Sequence, residues 1–186
     1  ISYTTSPVHN NEYFVDMAKK LESMGSDTLA IKDMAGLLTP QSTKELVSQL
    51  VKNINIPIHV HSHATAGLAS LNLVAAVEAG ATIIDTCNSS FSEGASHPTT
   101  ESIIAALQSM GYEINIDIAA IESISEHLRE VRKKYWQFES EFTGVDPRVL
   151  SNQVPGGMIS NLSNQLKDQN ALEKMNDVLK EIPLVR

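Results

Sequence analysis

The stretch TLAIKDMAGLLTPQSTKELVSQLVKNINIPIHVHSH, residues 28–63, contains one complete strand–helix–strand unit. Its two ends, residues 28–33 and 56–63, are short runs of apolar and β-branched residues, which are typical of buried strands. Between them, Thr39 and Pro40 supply an N-cap and a first-turn proline, and the apolar residues that follow recur at helical spacing. The stretch therefore predicts two parallel strands joined by a helix.

The same unit recurs on both sides of this stretch. Further strands are predicted at residues 1–4 and 82–87, and further helices at residues 10–25, 68–80 and 98–111. A repeat of roughly 25 to 30 residues is the period of a β/α barrel or of a doubly wound sheet. From about Ile114 the strand signal ends, and residues 118–138 and 158–182 predict helices only. We therefore expect an α/β fold with a helical extension.

Composition narrows the classes of function. The chain has 14 basic and 22 acidic residues, and no basic stretch alternates with aromatic residues, which argues against nucleic acid as a partner. No apolar run approaches the ~18 residues that span a bilayer. Cys87, the single cysteine, excludes an internal disulfide and a thiolate zinc site, and is predicted to be a small buried hydrophobe. A cytoplasmic location is expected.

Polar side chains stand where three predicted strands end, at the edge where functional groups gather in β/α folds. They are Lys32, Asp33, His61, His63, Asp85 and Cys87. His61 and His63 share a strand face, and such a pair of neutral imidazoles commonly holds a divalent metal. Two ligands are too few for a metal site, however, and a hydrogen-bonded polar rim is an equal alternative. His59, deeper in the strand, is expected to pack or to bond to a neighbouring strand.

Lys32 lies at the same height on the preceding strand. A protonated ammonium has no lone pair and cannot ligate a metal. A neutral lysine can react with carbon dioxide to give a carbamate, which offers an anionic oxygen. The alternative is that Lys32 forms an ion pair with Asp33 or Asp85, and the pattern alone favours that simpler interpretation.

Four longer segments carry a family resemblance: IKDMAGLLTP, HVHSHATAGLA, VEAGATIIDTCNSSFSEGASHPTTES and REVRKKYWQFESEFTGVDPRVLSNQVPGGMISNL. Together they resemble the carboxyltransferase domain of biotin-dependent enzymes, most closely the α subunit of sodium-pumping oxaloacetate decarboxylase, with pyruvate carboxylase and transcarboxylase as relatives. The resemblance implies a (β/α)8 TIM-type barrel followed by a helical extension. It assigns residues 1–111 to the C-terminal half of the barrel, strands five to eight, and residues 112–186 to the extension.

The resemblance also implies a metal centre. Its ligands would be a carboxylated Lys32, His61, His63 and an aspartate from the first barrel strand, which lies outside this chain. His59 falls outside the H-x-H-x-T motif and is not a ligand. Met34 is expected to line the keto-acid pocket. Zinc is the expected metal, with cobalt and manganese as alternatives. Gly156 and Gly157 lie in a segment that resembles a family loop after the barrel, where glycine permits backbone conformations that a Cβ would forbid.

The chemistry implied is decarboxylation of oxaloacetate to pyruvate, with transfer of the carboxyl group to biotin through a metal-stabilised enolate. Expected partners are oxaloacetate or pyruvate, a biotinyl carrier domain outside this chain, and the membrane subunits of a sodium-pumping decarboxylase, which would place the complex at the inner membrane. We also expect a homo-oligomer, because unpaired strand edges invite a second copy.

Three alternatives remain open. The first is the carboxyltransferase of a two-chain pyruvate carboxylase. The second is an amidohydrolase, which also combines H-x-H with a carboxylated lysine, but there the lysine follows the histidines, whereas Lys32 precedes His61. The third is a truncated, non-catalytic structural or oligomerisation piece, because the early strands, the threonine that shuttles a proton to biotin and the biotin attachment sequence are all missing. By itself, the chain is expected to be inactive.

Overall fold

The structure is a computed structural model that describes residues 1–139 and 144–185. Its centre is a parallel sheet of three strands in the order β1, β2, β3. They are β1 Leu29–Asp33, β2 Ile58–Ser62 and β3 Ile83–Ile84. The register pairs Lys32 of β1 with His61 of β2. The α/β class and the parallel sheet are therefore confirmed.

The two outer predicted strands are shorter than expected. Residues 1–4 form only one isolated parallel bridge, between Ser2 and Lys32, although Tyr3 N donates to Lys32 O and Lys32 N to Ile1 O at 2.8 Å each. The strand predicted at 82–87 is limited to two residues. Both segments border the sheet described here, so each is held by ladder hydrogen bonds on one side only, and regular pairing ends early.

The helices predicted between the strands are present. They are α1 Asn11–Ser23, α2 Pro40–Asn53, α3 Ala69–Glu78 and α4 Thr100–Ser109. The side chain of Thr39 accepts from Ser42 N and the Ser42 side chain accepts from Thr39 N, so a capping box starts α2. Reciprocal capping of this kind satisfies two of the backbone N–H groups that every helix start leaves unpaired.

The extension contains four helices and two 3₁₀ turns among the described residues. They are α5 Ile118–Lys133, α6 Val149–Asn152, α7 Gly156–Asp168 and α8 Met175–Val185, with 3₁₀ turns at Trp136–Phe138 and Leu172–Lys174. The predicted helix at 118–138 therefore ends at Lys133, and the segment predicted at 158–182 divides into α7 and α8. The sequence pattern does not predict the short helix α6. No described helix is both long and apolar enough to cross a membrane.

Burial alternates along the strands and separates the two faces of the sheet. Leu29, Ile31, Ile58 and Val60 are buried in one core with apolar residues of α1 to α4. The intervening residues point to the other face, which these helices leave open, and they include Lys32, His59 and His61. The extension has a separate small core of Val154, Ile159, Met175 and Leu179.

Candidate metal centre

Three imidazole rings meet at the carboxyl edge of the sheet. His61 and His63 come from the end of β2, and His97 comes from the loop before α4. His61 Nε2 lies 3.3 Å from His63 Nε2 and 2.9 Å from His97 Nε2. One ring nitrogen of each histidine lies within 4.8 Å of the other two, and all three rings are half-buried. The two predicted histidines are therefore brought together, with a third that the sequence pattern does not predict.

The far sides of two rings are anchored by oxygen atoms. His61 Nδ1 lies 2.7 Å from Asp85 Oδ2, and His63 Nδ1 lies 2.7 Å from the carbonyl oxygen of Ala95. A carboxylate and a carbonyl can only accept, so Nδ1 of each ring must carry the proton and donate. When the rings are neutral, Nε2 of each then carries no proton and has a free lone pair. Metal-ligating histidines have this arrangement.

A cation fits the space between these lone pairs. Two unprotonated nitrogens at 3.3 Å cannot hydrogen-bond to each other, and without a partner they repel. Nitrogens that share one zinc ion, each at ~2.0–2.1 Å, stand about 2.9–3.4 Å apart for bond angles between octahedral and tetrahedral values. The spacing of His61 and His63 falls in that range. The donor set and its geometry therefore suit a divalent metal.

The surroundings of the cluster favour a neutral ring at His97 and an ionised carboxylate at Asp85. Burial, followed by the fields of His63 and His61, lowers the pKa of His97 to about 4, although Asp85 acts in the opposite direction. Burial acts to raise the pKa of Asp85, but the interactions with His61 and His59 outweigh it, so that pKa lies below its usual range. His59 Nε2 stands 2.8 Å from Asp85 Oδ1, the other oxygen of the carboxylate that anchors His61. His59 thus contacts the neighbouring strand end and stays outside the cluster.

Lys32 stands next to the cluster in the sheet. It is the register partner of His61, points to the same open face and is exposed. Its ammonium forms no ion pair with Asp33 or Asp85 in the described part of the chain, so the simpler interpretation of Lys32 is not borne out there. Asp85 interacts with histidines instead, and Asp33 faces the opposite side of the sheet.

Asp33 folds the loop that follows β1. Its carboxylate accepts from Leu37 N and Leu38 N at 2.9 Å each and from Ser62 Oγ at 3.1 Å. Burial raises the pKa of this carboxyl group, although these hydrogen bonds act to lower it. Gly36 in the same loop has φ +73°, and a Cβ there would lie 2.7 Å from the carbonyl oxygen of His63. The loop after β1 is therefore fitted closely against the end of β2.

Met34 and Cys87 lie at the same edge without joining the cluster. Met34 is partly exposed in the loop after β1, and a role in a keto-acid pocket stays a prediction. Cys87 is half-buried rather than fully buried as expected. Its backbone explains this position, because Cys87 N donates to Pro98 O at 2.9 Å and Thr100 N donates to Cys87 O at 2.8 Å. Cys87 is thereby held, half-buried, between the end of β3 and the start of α4.

The extension reaches the site through Gly156. A Cβ on this residue would lie 2.6 Å from Thr65 Oγ1 and 3.1 Å from Ala95 Cβ, whereas a Cβ on Gly157 would meet nothing within 4 Å. Neither glycine has a positive φ, so neither uses the left-handed backbone region that glycine permits. Glycine is required at position 156 because a side chain would not fit there. Gly156 lies in the first turn of α7, against Ala95, whose carbonyl anchors His63.

The sequence contains a signal for His97 that spacing within one strand does not reveal. The segment GASHP, residues 94–98, combines turn-forming Gly94 and Pro98 with a histidine, in the loop between the third strand and α4. Loops in that position meet at one edge of a parallel sheet, so His97 could be grouped with His61 and His63 on that ground. The structure thus adds a third imidazole to the two that the H-x-H pair supplies at this edge.

Comparison with known proteins places the chain in a family. Residues 2–128 match the HMGL-like family model, and residues 149–186 match a model described as a conserved carboxylase domain. A pyruvate carboxylase subunit of Methanocaldococcus jannaschii is 50% identical over the whole chain, which spans 33% of that protein. The methylmalonyl-CoA carboxyltransferase 5S subunit of Propionibacterium freudenreichii subsp. shermanii is 41% identical, again over the whole chain and 37% of that protein.

A solved structure agrees with these relatives. The carboxyl transferase domain of Rhizobium etli pyruvate carboxylase, solved with pyruvate and biocytin, superposes with a TM-score of 0.93 at 33% identity, over 98% of this chain and 32% of that one. The chain thus spans about a third of the length of each of these three proteins. It belongs to the HMGL-like family, among the carboxyltransferase domains of biotin-dependent enzymes.

Proposed function

We propose that this chain is part of a carboxyltransferase that moves a carboxyl group between biotin and pyruvate, with oxaloacetate as the carboxylated keto acid. One observation carries the proposal: the imidazoles of His61 and His63, each anchored through Nδ1, lie beside Lys32 at the carboxyl edge of the sheet. The relatives support the choice of substrates, because a subunit of pyruvate carboxylase is 50% identical and a similar domain was solved with pyruvate and biocytin.

The proposed architecture is the C-terminal half of a (β/α)8 barrel in residues 1–111, strands five to eight, followed by the extension in residues 112–186. The open sheet face supports this arrangement, since Lys32, His59 and His61 would then point into the barrel. Other strands of the barrel would supply the aspartate ligand, and a separate carrier domain would supply biotin.

The direction of transfer separates two forms of the proposal. The subunit relatives favour the two-chain pyruvate carboxylase, in which pyruvate is carboxylated. An oxaloacetate decarboxylase with membrane subunits would run the same half-reaction in reverse, and the resemblance of the motifs is what favours it. Both require the same metal centre, so the residue roles below hold for either direction.

Each residue of the centre has a distinct task. His61, His63 and a Lys32 carbamate would hold a divalent metal, zinc foremost with cobalt and manganese as alternatives, which would stabilise negative charge on the keto acid as its methylene carbon gains or loses the carboxyl group. The carbamate forms when the neutral amine of Lys32 attacks the carbon of carbon dioxide and releases a proton. Asp85 and Ala95 orient the two imidazoles, which removes the cost of reorganising them during the reaction.

The test is biotin-dependent decarboxylation of oxaloacetate by the purified protein as its gene encodes it, with pyruvate as the measured product. We expect activity that needs free biotin or the biotinyl carrier, that chelation removes, and that His63→Ala reduces at least about a hundredfold, as expected when a ligand of the reacting metal is lost. His127→Ala, on the exposed face of α5, is the matched control. Unchanged activity in His63→Ala would contradict the proposal.

A further inference from the structure

We infer that His97 is a third imidazole ligand of the same metal ion. The inference rests on the proposed metal centre and extends its ligand set, which otherwise consists of the lysine, two histidines and an aspartate implied by the resemblance. His97 comes from a different βα loop than the H-x-H pair, so it would join the end of β2 to the loop before α4 through the metal.

Distances support this role. His97 Nε2 lies 2.9 Å from His61 Nε2, within the spacing of about 2.9–3.4 Å expected for two nitrogens on one zinc ion. The centroid of the His97 ring lies 4.3 Å from that of His61 and 4.4 Å from that of His63, so the ring packs against both. One ring nitrogen from each of His61, His63 and His97 thus borders the same small space.

The backbone holds His97 in this position. Ser96, the residue before it, accepts from Ala64 N at 2.8 Å, and Pro98, the residue after it, accepts from Cys87 N at 2.9 Å. The carbonyl of His97 itself accepts from Glu93 N at 2.8 Å. The loop is therefore tied to the segments that follow β2 and β3, which gives its imidazole the preorganisation that a metal ligand needs.

A competing role for His97 predicts a different change in metal affinity when the residue is removed. If Nε2 of His97 carries the proton, it donates to His61 Nε2 and occupies the lone pair that the metal would use. Removing His97 would then leave metal affinity unchanged or increase it. If His97 is a ligand, its proton resides on Nδ1, its Nε2 has a free lone pair, and removing the ring weakens metal binding.

Metal titration of the purified protein as its gene encodes it separates these roles. After chelation, the wild type, His97→Ala, His97→Gln and His63→Ala are titrated with Co²⁺, and affinity and the visible absorption spectrum of the bound ion are recorded. We expect both His97 variants to lose at least tenfold in affinity and to change the spectrum, and His127→Ala to match the wild type.

The outcomes distinguish this inference from the function on which it rests. If His63→Ala weakens binding but the His97 variants bind as tightly as the wild type or more tightly with an unchanged spectrum, His97 is not a ligand and only this inference fails. If His63→Ala also binds normally, the metal centre itself is refuted. X-ray absorption of the Co²⁺-loaded wild type needs no variant, and three bound imidazoles are expected, whereas two would overturn the inference.

Discussion

Two histidines reach the same tautomer by different means. Asp85 offers His61 a carboxylate, whereas the carbonyl of Ala95 serves His63. A charged acceptor makes the imidazole that donates to it a stronger base, so His61 is the better electron donor of the pair. Lys32 adds an amine on the neighbouring strand, where it is the register partner of His61.

Replacement of Lys32 tests whether its carbamate is a ligand. Lys32→Ala should lose metal retention by at least about tenfold together with carboxyl transfer, and Lys32→Arg should fail as well, because a guanidinium stays charged and takes up no carbon dioxide. Lys32→Glu restores an anionic oxygen at shorter reach, and should recover metal without the full rate. Metal content and transfer rate are measured together, with exposed Lys44→Ala as the control. If Lys32→Ala keeps its metal, the lysine has no ligand role.

Part of this site is predictable from the sequence for a simple geometric reason. Alternate residues of a strand share a face, so the HSH pattern is enough to place His61 and His63 side by side. Asp85 is expected at the same edge, but its partners depend on how β3 pairs with β2. The strand pattern does not predict His97, because backbone hydrogen bonds of its neighbours determine its position. No periodicity in the sequence predicts those hydrogen bonds.

At the scale of elements, close contacts between loops determine the shape of the edge. The loop after β1 touches the end of β2 at Gly36, and α7 touches the loop after β2 at Gly156. Asp146 N also donates to Thr65 O at 2.7 Å, so the extension is bonded to the same loop. The helices and the strands β1 and β2 are predictable from caps, apolar spacing and β-branched runs. The lengths of the outer segments at residues 1–4 and 82–87 are not, because they depend on neighbours across the sheet.

Gly156 and Gly157 form a matched pair for testing this contact. Gly156→Ala places a methyl group against Thr65 and Ala95, so we expect a loss of about 1–3 kcal/mol in the free energy of unfolding, as for other overpacked sites. Gly157→Ala meets open space and should be neutral or slightly stabilising in the first turn of α7. Denaturant unfolding of both variants measures the difference. Equal free energies of unfolding for the two variants would show that α7 does not pack tightly against Thr65 and Ala95.

At the scale of the whole molecule, the sheet has an apolar face and a polar face. The four helices α1 to α4 bury the first, while the second carries Lys32, His59 and His61. Three chain segments contribute to the centre, namely β1, the end of β2 and the loop before α4. A cation bound there would cross-link segments about 30 residues apart in sequence, and the unfolded chain has no equivalent arrangement.

Metal binding should therefore stabilise the folded protein. At a free Zn²⁺ concentration a hundredfold above the dissociation constant, linkage predicts a gain of about 2.7 kcal/mol in the free energy of unfolding, provided the unfolded chain binds no metal. Denaturant unfolding with and without chelator measures this gain in the full-length protein. His63→Ala should show little of it, because the remaining donors bind weakly, whereas His127→Ala should retain all of it. A wild type that gains nothing, although it binds the ion, would mean that the metal sits equally well on the unfolded chain, and the preorganised centre would then be the wrong description.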